Sequence, residues 1–155
     1  TLAENIALGG GNAEIEDIKE AAGTASLLET IENFKEGFET TVGERGVTLS
    51  GGQKQRTAIA RMLIGKSPIM VFDDSLSAVD AETDAKIRKG LMEKGKDSTV
   101  IIISHRITTL MAADNILVFD KGSLAESGTH NELLAKEGIY KKIYDIQSVA
   151  HDYES

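Results

Sequence analysis

The sequence predicts an α/β chain in which a helical first part is followed by a mostly parallel sheet. Two apolar runs, Ile69 to Phe72 and Val100 to Ile103, show no apolar/polar alternation, the pattern of strands buried on both faces of a parallel sheet. Each run ends in residues able to do chemistry: Asp73 and Asp74 after the first, Ser104 and His105 after the second. The third observation is a helix start, Ser50 to Gln53, that carries glycine at two successive positions.

In chain order, residues 1 to about 48 read as loop and helices, punctuated by Gly9, Gly10, Gly11 and Gly23. Ile15, Ile18 and Ala22 share one helix face, and Leu27, Leu28 and Ile31 share another. Leu49 to Gln53 (LSGGQ) then leads into a helix that continues through Thr57 to Ile64. An interior glycine costs roughly 1 kcal/mol against alanine, somewhat less near an end, so Gly51 and Gly52 answer some demand other than helix stability. Lacking Cβ atoms, they leave first-turn N–H groups bare at the positive end of the helix dipole, which is an anion site with phosphate as its natural ligand. Ser50 and Gln53 also have the S-x-x-Q spacing of a capping box, which would satisfy the end of an ordinary helix. Capping alone does not ask for glycine at both positions between them.

Gly65 reads as the C-cap of this helix, with Pro68 as a stop signal. The strand at Ile69 to Phe72 then delivers Asp73 and Asp74 to its C-terminal edge, where open α/β sheets bind ligands, although either carboxylate could instead cap the next turn. Asp80 is placed to cap a helix beginning at Ala81, and Glu82 with Lys86 and Asp84 with Arg88 make i,i+4 pairs expected on a solvated face. After the second strand, His105 stands either as a turn residue or as a functional group at the same sheet edge. Asn115 to Phe119 and Leu124 to Ser127 flank Lys121 and Gly122 as a hairpin. Thr129 and Glu132 form a second capping box, with His130 in the first turn as a surface residue without catalytic role. A last packed helix over Ile139 to Ile146 carries Tyr140 and Tyr144 one turn apart.

The 155 residues suffice for one domain-sized core, and 41% of them are hydrophobic. No window approaches the roughly 18 apolar residues of a membrane span. A net charge of -8 and the lack of any basic run give no support to nucleic-acid or anionic-membrane binding as the main activity. The absence of cysteine excludes disulfides and thiolate metal sites.

LSGGQ running on as KQR resembles the signature motif of the ATP-binding cassette (ABC) ATPases. TLAENIALGG, VGERGVTLSGGQKQR and SGTHNELL are of exporter type within that family, and the resemblance covers nearly the whole chain. It implies a partial P-loop NTPase domain: a helical subdomain with the signature over residues 1–66, and part of the ATPase core with C-terminal helices over residues 67–155. By the resemblance, Ser50, Gly51, Gly52 and Gln53 contact nucleotide; Asp73 is the Walker B aspartate that holds the magnesium of Mg-ATP; and His105 contacts the γ-phosphate. Ser77 to Asp80 match the D-loop that crosses the dimer interface, which adds Asp80 to the nucleotide-proximal residues.

A Walker A loop, G-x-x-x-x-G-K-[ST], fits no segment. Gly65, Lys66 and Ser67 spell GKS, but the position five before Gly65 is Ala60, and the order of elements is helix then strand rather than strand, loop, helix. TLAENIALGG resembles the stretch just after the Q-loop, so the resemblance implies that Walker A, the adenine-stacking aromatic and the Q-loop glutamine lie upstream. At Asp74 the family usually has glutamate, the general base that orients the attacking water. The aspartate is one methylene shorter, a retreat of roughly 1.5 Å.

The leading expectation is therefore part of the ATP-hydrolysing domain of an exporter, with ATP and Mg2+ as cofactors in the complete domain or dimer. Its partners would be a second nucleotide-binding domain, in a heterodimer if Asp74 marks a degenerate site, and the transmembrane domains. The parent would lie at the cytoplasmic face of the cell membrane, the fragment itself being soluble and inactive alone. A soluble ABC ATPase of repair or translation type and a non-catalytic, association-only fragment are the alternatives.

Overall fold

The computed structural model describes residues 1–155 apart from 12, 44–45, 66, 74–78, 95–97 and 153–155, and describes only the backbone of 81, 94 and 150–152. The chain divides after Ile103 into two compact units, Thr1–Ile103 and Ser104–Ser155.

The first unit is built on helices α1 (Leu2–Ala7), α2 (Ile15–Thr24), α3 (Leu28–Glu32), α4 (Gly51–Ile64) and α5 (Ala81–Lys94), with strands β1 (Ile69–Asp73) and β2 (Thr99–Ile103). Local chemistry sets several of these boundaries. Thr1 and Glu4 close a capping box at α1, and the Asp80 carboxylate accepts from the Thr83 N–H at 2.9 Å to start α5. Leu2, Ile6, Ile18, Ala22, Ile31, Ile59 and Leu63 from four helices join Met70 and Phe72 of β1 and Ile87 of α5 in one apolar core.

Strands β1 and β2 pair in parallel, with Met70 opposite Val100 and Asp73 opposite Ile103. The expected burial on both faces is corrected here: along β1 burial alternates, Met70 and Phe72 facing the core while Ile69 and Val71 are 60% and 54% exposed. Ile101 and Ile103 of β2 are exposed as well. A run without alternation asks for cover on two sides, and the helices of this unit supply it on one.

A second correction concerns α5. Glu82 and Lys86 form the expected exposed pair at 2.8 Å, but Asp84, paired with Arg88 at 2.9 Å, is only 2% exposed. Its position facing the core makes it a buried ion pair rather than a solvated one. Ile15, expected on the apolar face of α2, is exposed, whereas Ile18 and Ala22 are buried.

The second unit contains α6 (Ile107–Leu110), the antiparallel strands β3 (Ile116–Asp120) and β4 (Ser123–Gly128), α7 (His130–Ala135) and α8 (Ile139–Asp152). The hairpin has the expected turn: Asp120 pairs with Ser123, and Lys121 and Gly122 both take positive φ (48° and 78°). That pair of angles marks a type I′ turn, whose twist matches the strands it joins. Ile107, Ile116, Leu133 and Tyr140 form the core of this unit.

Candidate functional site

Helix α4 begins as its sequence dictates. The Ser50 hydroxyl accepts from the Gln53 N–H at 3.2 Å, and the Gln53 side chain accepts from the Ser50 N–H at 2.9 Å, completing the capping box. The N–H groups of Gly51 and Gly52 belong to the first turn, where helix geometry provides no intrahelical acceptor. A Cβ on Gly51 would meet nothing within 4 Å, so packing among the described residues gives no reason for glycine there. The capping box thus leaves the Gly51 and Gly52 N–H groups without an acceptor inside the helix.

The far end of α4 is held tightly. A Cβ on Gly9 would fall 1.8 Å from the Arg61 carbonyl oxygen, and one on Gly10 would fall 1.9 Å from a methyl of Ile64. Arg61 also donates to Asn5 through two nitrogens, to the backbone carbonyl at 2.6 Å and to the side-chain oxygen at 3.1 Å. Gly65 is the C-cap, as expected, but with φ of -68° rather than a left-handed angle. Its glycine is required by proximity, because a Cβ would come within 2.9 Å of the Gly9 carbonyl oxygen. Strand β1 follows α4, so Gly65 and Ser67 stand in the order helix then strand, with Lys66 outside the described residues.

Asp73 is the last residue of β1 and is exposed, at the C-terminal edge of the parallel pair. Asp74, Ser77 and Ala78 lie outside the described residues. Asp80 is exposed, and its hydrogen bond from the Thr83 N–H holds its carboxyl below the usual carboxylate range. The capping role open to it in the sequence is therefore present. Among the described residues no group of three or more His, Cys, Asp or Glu is arranged to hold a metal ion.

His105 belongs to the second unit, two residues past β2, and is exposed. Its backbone is gripped from α8. The Gln147 side chain donates to the His105 carbonyl at 2.7 Å and accepts from the Ile107 N–H at 2.9 Å. Ser104 adds a third tie, its hydroxyl accepting from the Arg106 N–H at 3.0 Å. Gln147 gave no signal in the sequence, because its two contacts lie 42 and 40 residues away.

His130 starts α7 behind the Thr129 and Glu132 capping box, and its Nδ1 lies 2.8 Å from the Tyr140 hydroxyl. The residue is half-buried against Tyr140 and Tyr144, a packing contact between α7 and α8. Among the described residues no helix is long and apolar enough to cross a membrane.

Comparison with known proteins converges on one group. The family model described as "ABC transporter" matches residues 1–77. A Staphylococcus aureus protein (strain NCTC 8325 / PS 47) named as a multidrug export ATP-binding/permease protein is 45% identical over 149 residues, covering 96% of this chain and 26% of that protein. A counterpart in the bovine strain RF122 / ET3-1 is 44% identical over the same length. Among solved structures, a bacterial Atm1-family ABC exporter with ATP bound matches with a TM-score of 0.88 and 40% identity, over 95% of this chain and 26% of that one. The chain thus spans about a quarter of the length of the proteins it matches.

Proposed function

Because the chain belongs to the ABC transporter family, we propose that it is part of the ATP-hydrolysing domain of a membrane exporter, and that its signature serves a nucleotide bound mainly by a second nucleotide-binding domain. The observation that carries this reading is the start of α4: a capped first turn whose Gly51 faces open space and whose N–H donors have no use within the helix. Such a turn presents donors and a positive dipole end to a phosphate, and a side chain at Gly51 would intrude on the approach. No phosphate loop occurs in these 155 residues, so the phosphates would be cradled elsewhere.

The residues present suit Mg-ATP. Mg2+ takes one or two carboxylates and retains water, so Asp73 at the edge of β1 can supply a ligand without a dedicated cage. The bound magnesium nucleotide supplies the scissile γ-phosphoryl bond and its charge neutralisation. Ser50, Gly51, Gly52 and Gln53 would hold the nucleotide in trans, His105 would contact the γ-phosphate, and Asp80 would lie near the dimer interface. Residues 1–66 and 67–155 would be the helical subdomain and the partial core of the complete domain.

In this reading Asp74 replaces the base that orients water. A misplacement of about 1 Å can cost on the order of 100-fold in rate, so hydrolysis at the site containing Asp74 is slow. Because each signature serves the opposite site, an intact Ser50 to Gln53 and a weak Asp74 belong to different sites, as in one half of a heterodimer at the cytoplasmic face of a membrane. ATPase assays on the complete pair test this: Asp74→Glu is expected to raise the turnover of the weak site by roughly 10-fold or more. An unchanged rate, together with no loss on removing the partner's glutamate, would sink the division of labour.

A second reading draws on the open face of β1 and β2, where Ile69, Val71, Ile101 and Ile103 are exposed. On that reading the 155 residues associate without hydrolysing ATP. It describes the isolated chain, whereas the first reading describes the protein of which it forms part.

A further inference from the structure

Helix α8 is tied at its start and again at Gln147 to distant parts of its unit. At its start the Glu126 carboxylate, carried on β4, accepts from the backbone N–H groups of Ile139 and Tyr140. Gly138 makes room for this contact, since a Cβ there would fall 2.1 Å from a Glu126 oxygen. Tyr140, buried, sets the helix into the core of the unit. Two turns further on, Gln147 spends both polar atoms of its amide on the turn that carries His105, donating to the His105 carbonyl and accepting from the Ile107 N–H.

From this geometry we infer that Gln147 is a positioning residue for His105: its amide fixes the backbone on both sides of Arg106 and thereby sets where the exposed imidazole projects. The inference rests on the reading of His105 as the γ-phosphate contact. A plainer role competes with it. Arg106, the N-cap of α6, provides no side-chain cap, and the Gln147 oxygen satisfies the first N–H of that helix. Capping needs only the acceptor. The 2.7 Å bond from the Gln147 nitrogen to the His105 carbonyl lies outside the needs of the cap.

The two roles separate by substitution. Gln147→Glu keeps an acceptor for the Ile107 N–H, loses the donor and sets a carboxylate against the His105 carbonyl; Gln147→Leu removes both bonds. Hydrogen exchange on this chain checks the cap: the Ile107 amide stays protected in Gln147→Glu and exchanges faster in Gln147→Leu. ATPase kinetics of the complete exporter pair then read the positioning, in a background of Asp74→Glu with the partner's glutamate removed, so that turnover reports the site containing His105 rather than the partner's. With a sub-ångström displacement of the imidazole, both variants are expected to lower kcat by about 10-fold with KM for ATP nearly unchanged. Combined with His105→Ala, neither variant is expected to lower the rate further, since the two residues act as one unit.

A Gln147→Glu protein with unaltered kcat would overturn the inference and leave Gln147 as a cap. So would a loss that multiplies with that of His105→Ala. If His105→Ala leaves hydrolysis intact in that same background, the reading of His105 fails and the positioning role falls with it, an outcome distinct from the other two.

Discussion

The start of α4 and the β1–β2 pair belong to the same unit, yet one is finished by its own residues and the other is not. At Ser50 the cap is made three residues away by Gln53, and the helix needs nothing else to begin. The strands hydrogen-bond to each other in register, but one face carries Ile69, Val71, Ile101 and Ile103 into the open. The lesson concerns range: helix ends draw on neighbours in sequence, whereas a sheet of this composition draws on cover from elsewhere.

The sharpest way to break that contrast is to compare the two faces of β1. Phe72→Ala, on the buried face, is expected to cost about 3–5 kcal/mol in urea unfolding, while Val71→Thr on the open face stays within about 0.5 kcal/mol. Equal losses would mean that the open face is covered in solution. Next in size are the glycines that flank the length of α4. Gly10→Ala forces a methyl to within 1.9 Å of Ile64 and is expected to cost about 1–3 kcal/mol. Gly51→Ala meets no atom and is expected to leave stability unchanged or raise it by up to about 1 kcal/mol, while impairing ATPase in the complete pair. Thermal unfolding beside activity separates the two glycines.

Loss of the cap alone is smaller. Ser50→Ala removes the acceptor for the Gln53 N–H and is expected to cost about 0.5–2 kcal/mol in the same unfolding experiment. The smallest effect is one of pH, at the other capping box. Hydrogen bonds from the Thr129 backbone and side chain hold the Glu132 carboxyl below its ordinary value of 4.5. A depressed folded value stabilises the start of α7 above about pH 4.5, and that contribution is lost as pH falls through the folded value. The protection factor of the Thr129 amide, which donates to the Glu132 carboxylate at 2.8 Å, should fall in that window in the native chain and show no such step in Glu132→Gln.

These contrasts explain what the sequence made legible. The boundaries of α4 and α7, the hairpin turn at Lys121 and Gly122 and the order of Gly65 before β1 all rest on contacts a few residues long, and all were readable. Exposure of Ile69 and Val71 was not, because the run of apolar residues is the same whether one face is covered or two. Asp84 hid for a related reason: its i,i+4 spacing to Arg88 matches that of Glu82 to Lys86, and only tertiary packing distinguishes the buried pair from the exposed one. Gly9 and Gly10 read as loop punctuation and instead answer the close approach of α4. The signature turn was the most legible part of the site, since its unusual glycines are visible without any partner. Gln147 was the least, its contacts with His105 and Ile107 being set wholly by the docking of α8.

Calorimetric titration of this chain with Mg-ATP tests the central claim most directly, because affinity depends on a phosphate loop far more than on the signature turn. The account predicts no detectable binding by the chain alone. Tight binding would contradict it, and would mean that the 155 residues assemble a phosphate site of their own.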